Sequence, residues 1–149
     1  MDKTIVHLYT HDRQIQNLVL LVNRLSLFVV FFWFGLLKVL GLSPAEALVT
    51  HLHNETIGNL LSASNFCLIL GIVECTIGVL WLFPKLTKFA FFLFSAQMCT
   101  TFLPLFYLPG DTWQNGFALT LTGQYIIKNV VLVASAMTIL FYHRNQSAL

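Results

Sequence analysis

The chain has 149 residues, of which 57% are hydrophobic and 9% charged, with a net charge of +2. Soluble domains carry about 25% charged residues, and eight Lys/Arg with six Asp/Glu cannot coat a globule of 16.9 kDa. The balance excludes a disordered chain, argues against a soluble enzyme domain, and offers no basic run for nucleic acid; the partner it implies is the lipid bilayer.

The first 17 residues (MDKTIVHLYTHDRQIQN) are polar, and no A-x-A cleavage site follows. The first apolar stretch, 18–42, therefore reads as an uncleaved signal-anchor. Ser43-Pro44-Ala45-Glu46 has the order of a capping box, with proline at N1 and glutamate at N3. A short surface helix is expected over 45–52, and another turn or two within 54–64. Apolar stretches follow at 66–83, 86–108 and 125–142, the third with Pro104 near its end. Each is about long enough to cross ~30 Å of hydrocarbon as a helix. The alternation of a membrane β-barrel is absent. The fold class that follows is all-α: an integral membrane four-helix bundle, one domain over 1–149.

Basic residues set the orientation. Lys3, Arg13, Lys85, Lys88 and Arg144 flank one side of the spans. The connections 43–65 and 109–124 hold no Lys or Arg, but do hold Glu46, Glu55 and Asp111. The positive-inside rule then puts both termini in the cytoplasm and the two longer loops outside. Tyr107, Trp113 and Tyr125 fit an interfacial aromatic belt.

Four charged residues fall inside the spans: Arg24, Lys38, Glu74 and Lys128. Each costs about 2.5–3.5 kcal/mol at a span's centre on insertion scales. Steps of three and four gather polar and small residues on one stripe per helix. The stripes are Arg24–Phe28–Phe31–Gly35–Lys38, Cys67–Gly71–Glu74–Gly78–Trp81, Ala90–Phe94–Gln97–Thr101–Pro104 and Gln124–Lys128–Val131–Ser135–Thr138–Tyr142. Four stripes turned inward make a polar centre line. Glu74 lies near the midplane of its span, with Lys38 and Lys128 toward the outer ends and Arg24 toward the inner.

Glu74, Lys38 and Lys128 are the candidate catalytic residues; Gly71, Gln97, Gln124 and Arg24 are candidate ligand-binding residues. A bland reading stands beside each. The lysines and Arg24 can snorkel to the interfaces, a Glu74–Lys pair can merely hold helices in register, and Gly71 and Gly78 suit close packing. His51, His53 and Glu55 alternate in the first outer loop, and His7 and His11 stand four apart; surface histidine explains both pairs better than metal binding. Cys67, Cys75 and Cys99 lack disulfide or zinc spacing.

The chain resembles the DoxX family of small four-helix bacterial inner-membrane proteins over about 23–140. The resemblance is carried by FFWFGLLKVLGLSP (31–44), GIVECTIGVLWLFPK (71–85), TTFLPL (100–105) and TLTGQYIIKNVVLVA (120–134). The family's polar anchors fall here on Gly35 and Lys38, Gly71 and Glu74, and Lys128. Family members often carry an acidic residue before the Gly-Gln-Tyr, where this chain has Thr122. The resemblance implies a bacterial inner-membrane location. It also includes the membrane subunit of a thiosulfate:quinone oxidoreductase, and so raises quinone as a ligand and a redox subunit as a partner.

Two functions follow. In the first, a quinone head group lies in the polar centre line, Lys38 or Lys128 donates to its carbonyl, and Glu74 relays protons. The chain carries no intrinsic cofactor for this: no haem-ligand His pair and no redox dithiol, so electrons come from a partner or directly from substrate. In the second, the protein is non-enzymatic: a stress-response membrane protein, a small-anion permease, or an assembly partner, with a homodimer as one arrangement.

Overall fold

Long apolar runs in lipid must satisfy their backbone internally, and the helix does this within one segment. The computed structural model describes residues 3–56, 58 and 61–146, with side chains from residue 13 to 144 of these. Helix α1 (Lys3–Val39) is followed by the short α2 (Glu46–Thr56) and by α3 (Ala63–Trp81). A 3₁₀ turn (Pro84–Leu86) leads into α4 (Thr87–Phe102), α5 (Pro104–Tyr107) and α6 (Pro109–Thr112). A hairpin of β1 (Trp113–Gln114) and β2 (Ala118–Leu119) then precedes α7 (Leu121–Gln146).

Among the described residues, four stretches are long and apolar enough to cross a membrane: Arg13–Val39, Ala63–Trp81, Pro84–Tyr107 and Leu121–Arg144. The protein is an all-α, multi-pass membrane bundle. Helix α1 packs most extensively on α3, α3 on α4, α4 on α7, and α7 back on α1, closing a ring. One end of the ring carries α2 and the hairpin (the loop end); the other carries the 3₁₀ turn (the turn end).

The four spans overlap those expected from sequence, with two differences. Helix α1 is continuous from Lys3, and at 37 residues it is about 55 Å long, well beyond the hydrocarbon thickness. The third span breaks at Leu103, because Pro104 has no N–H to give the Thr100 carbonyl and its ring crowds that turn. The surface helix α2 forms, starting at Glu46 and running to Thr56. Ser43 closes the turn before it by accepting from the Ala45 N–H at 3.2 Å. The His7/His11 pair and residues 57, 59 and 60 of the first loop lie outside the described side chains.

The core is apolar: Leu27, Phe31, Ile77, Trp81, Ala90, Phe94, Met98, Ala136 and Ile139 form one buried cluster. Large apolar residues also cover the outside, among them Trp33, Phe92, Val131 and Phe141, as lipid in place of water allows. Three of the four expected inward stripes are the buried faces of α1, α3 and α4. The fourth is corrected: α7 buries Gly123, Ile126, Ala136 and Ile139, while Gln124, Lys128 and Val131 are exposed.

Candidate intramembrane polar network

The site is built on the α1–α3 crossing. A Cβ on Gly35 would lie 2.7 Å from the Gly71 carbonyl oxygen and 2.7 Å from the Cys75 nitrogen. One on Gly71 would lie 2.8 Å from the Gly35 carbonyl oxygen, and one on Gly78 would lie 2.9 Å from the Phe32 nitrogen. Two backbones thus touch through three glycines, the small-residue contact that membrane helices use in place of a hydrophobic drive. At Gly71 the side where a Cβ would project is filled by α1, the close packing that is the bland reading of this glycine.

That approach delivers Lys38 to Glu74. The ammonium Nζ donates to Glu74 Oε2 at 2.6 Å, with the two side chains only 9% and 12% exposed. From α4, Gln97 Nε2 donates to Glu74 Oε1 at 3.1 Å. Both carboxylate oxygens are therefore engaged, each by a different helix. Gln97 is placed by the last regular turns of α4, where Thr100 and Thr101 both donate their hydroxyls to its carbonyl, at 2.7 and 2.9 Å. An ion pair with added hydrogen bonds is the form in which buried charge is tolerated.

The other candidate residues stand elsewhere. Lys128 does not share the carboxylate. It is exposed on α7, with its ammonium 5.0 Å from the centroid of Tyr125. The exposed face lets Lys128 extend toward the interface, where a second ammonium avoids the cost of burial. Gln124 is also exposed, its amide 3.5 Å from the Leu119 carbonyl. Arg24 is buried at the turn end, where it donates to the Trp81 carbonyl at 2.9 Å and to Thr87 Oγ1 at 2.7 Å. It neutralises a freed carbonyl at the C-terminus of α3, the end of a helix that favours cations. Its described hydrogen bonds thus go to the protein's own groups.

Arg24 and Lys38 hold α1 to α3 at two points 14 residues apart, about 21 Å along the helix. Ser135 adds a third tie by donating to Asn23 Oδ1 at 2.5 Å, from α7 to α1. Sequence reasoning missed Thr87 and this Asn23–Ser135 bond, since small hydroxyls on span faces carry no distinctive spacing.

The two outer-loop histidines part company. His53 is 2% exposed, and its Nε2 lies 2.8 Å from the Leu61 carbonyl, which can only accept, so that nitrogen carries the proton. His51 is on the open face of α2, its Nδ1 2.9 Å from Asp111 Oδ2, joining the first loop to the second. Asp111 draws its pKa above the ordinary 6.5 by hydrogen bond and charge, with Glu55 adding to the same direction. Among the described residues, no three His, Cys, Asp or Glu side chains converge as a metal site would need. No family model matches the chain, and neither a curated protein nor a solved structure does so.

Proposed function

We propose that the chain is a non-enzymatic, DoxX-like membrane protein that serves as an assembly partner in a bacterial inner-membrane complex. In this reading Lys38–Glu74–Gln97 is a register lock. The observation that carries it is that both Glu74 oxygens are bonded by the bundle's own helices, Oε2 by Lys38 of α1 and Oε1 by Gln97 of α4, with Lys128 exposed on α7. A proton relay or an anion path needs further inward polar groups to continue it, and the α7 candidates Gln124 and Lys128 are exposed. The DoxX-like assignment is supported by the way Gly35-x-x-Lys38 and Gly71-x-x-Glu74 face each other across one helix crossing. The cytoplasmic placement of both termini rests on the five flanking basic residues.

A second reading is favoured by one specific feature. Lys38 has three ammonium protons, and one is engaged among the described residues. Another could donate to a quinone carbonyl, with electrons supplied by a redox subunit.

One experiment separates the two. Wild type, Glu74→Leu, and Lys38→Met with Glu74→Leu are purified in mild detergent, and unfolding and bound quinone are measured together. The register reading expects the single variant to lose about 3–5 kcal/mol, because Lys38 is left buried and unpaired. The double variant regains most of that loss, and no preparation carries stoichiometric quinone. Stoichiometric quinone in wild type, absent from a folded double variant, overturns the lock in favour of the quinone site.

A further inference from the structure

The β1–β2 hairpin plays no part in the polar network, yet it carries the most exposed large apolar side chain described: Phe117, 92% exposed at its tip. The turn is built for this presentation. Asn115 and Gly116 both take positive φ, 44° and 79°, so the chain reverses in three residues and leaves Phe117 outside the ladder.

The position of the tip is fixed by two contacts. Trp113 Nε1 donates to the Leu105 carbonyl at 3.0 Å, and Leu105 lies inside the third candidate span, Pro84–Tyr107. The Trp113 and Phe117 rings are 6.4 Å apart. Phe117 is thus held within one ring's distance of an indole that is itself fastened to a membrane-spanning segment. The second strand ends at Leu119, two residues before the fourth span begins at Leu121. The neighbouring Phe106, Tyr107 and Leu121 are likewise exposed.

We infer that the hairpin is an interfacial membrane anchor: its Phe117 tip inserts among the phospholipids at the loop end, at the boundary of headgroup and acyl chain. The backbone chemistry suits that depth. The strands pair with each other, the Phe117 N–H donates to the Asn115 carbonyl at 3.1 Å, and Gln114 Nε2 donates to the Leu119 carbonyl at 3.2 Å. Thr120 Oγ1 donates to the Asp111 carbonyl at 2.6 Å, closing the base of the hairpin. Polar groups satisfied internally can enter an interface without loss, and an apolar ring at its edge is removed from water. The occupant is lipid because the hairpin is fastened through Trp113 to Leu105 in one candidate span and ends two residues before another. This inference rests on the multi-pass fold and is independent of what Glu74 does.

The test uses the full chain reconstituted in vesicles of phosphatidylcholine and phosphatidylglycerol. With Cys67, Cys75 and Cys99 replaced by Ala, an environment-sensitive fluorophore is placed on Phe117→Cys and, as a control on α2, on Glu55→Cys. The anchor expects blue-shifted emission at 117, several-fold stronger quenching by nitroxide lipid than at 55, and weak quenching by aqueous iodide. Iodide quenching equal to that at 55 puts the tip in water and overturns the inference. Protection from both quenchers means that protein covers the tip, and overturns it as well. Phe117→Trp in the cysteine-containing chain, read as the brominated-lipid quenching gained over that of the native Trp33, Trp81 and Trp113, repeats the test without the cysteine replacements.

Discussion

Gly35→Ala tests the helix crossing most directly. The added Cβ would lie 2.7 Å from the Gly71 carbonyl oxygen, against the 3.4 Å at which ordinary contact begins. Both nearest atoms belong to the α3 backbone, so no side chain can swing aside; the helices must part locally by about 0.7 Å. Overpacking of this kind costs about 1–3 kcal/mol. The same displacement carries the Lys38–Glu74 contact from 2.6 Å toward the outer limit of a good hydrogen bond, adding to the loss. Thermal unfolding in detergent micelles, followed by the chain's tryptophan fluorescence, should show a Tm several degrees lower, since about 1 kcal/mol shifts a domain of this size by ~2–4 °C. Gly71→Ala should behave alike. Gly110→Ala is the control, because nothing lies within 4 Å of its added Cβ and its φ is ordinary. If Gly35→Ala unfolds together with Gly110→Ala, the glycine crossing is not what sets the α1–α3 distance.

Other consequences can be checked in the same preparations. Lys128→Met should stay within about 0.5 kcal/mol of wild type in the unfolding assay, as expected of an exposed residue whose contact among the described residues is the Tyr125 ring. Arg24→Met removes two charge-assisted hydrogen bonds at the turn end, each worth about 1.5–3 kcal/mol, and should lower the unfolding temperature although it touches nothing near Glu74. The His51–Asp111 link follows pH in a defined direction. With the His51 pKa raised by Asp111, the link is fully formed below the ordinary 6.5 and is lost as pH rises through the raised value. Asp111→Asn should bring the His51 titration, followed by its ring proton shifts in NMR, back down toward 6.5. An unchanged midpoint would refute the pairing.

Much of this molecule is legible along the chain, for reasons that differ by residue. Apolar length marks the four spans, because hydrocarbon thickness sets a minimum. The stripes through Gly35–Lys38, Gly71–Glu74 and Gln97 were readable because buried polar groups in lipid have few places to go except toward each other. The α7 stripe misled for the same reason. Polarity implies an inward face only where a side chain cannot reach the interface, and the exposed Lys128 can extend toward it. The Asn115-Gly116 pair is a hairpin signal that a helical reading of the loop passes over.

The sequence by itself determined the solvent of this protein, its four candidate spans and the inward faces of the first three, all of which depend on composition and period. Only the tertiary structure decided which lysine meets Glu74, that Arg24 serves the end of α3, and where the hairpin rests. These are matters of which faces meet. They are set by backbone contact at three glycines and by which side chains that contact brings to one carboxylate, arrangements that no one-dimensional pattern contains.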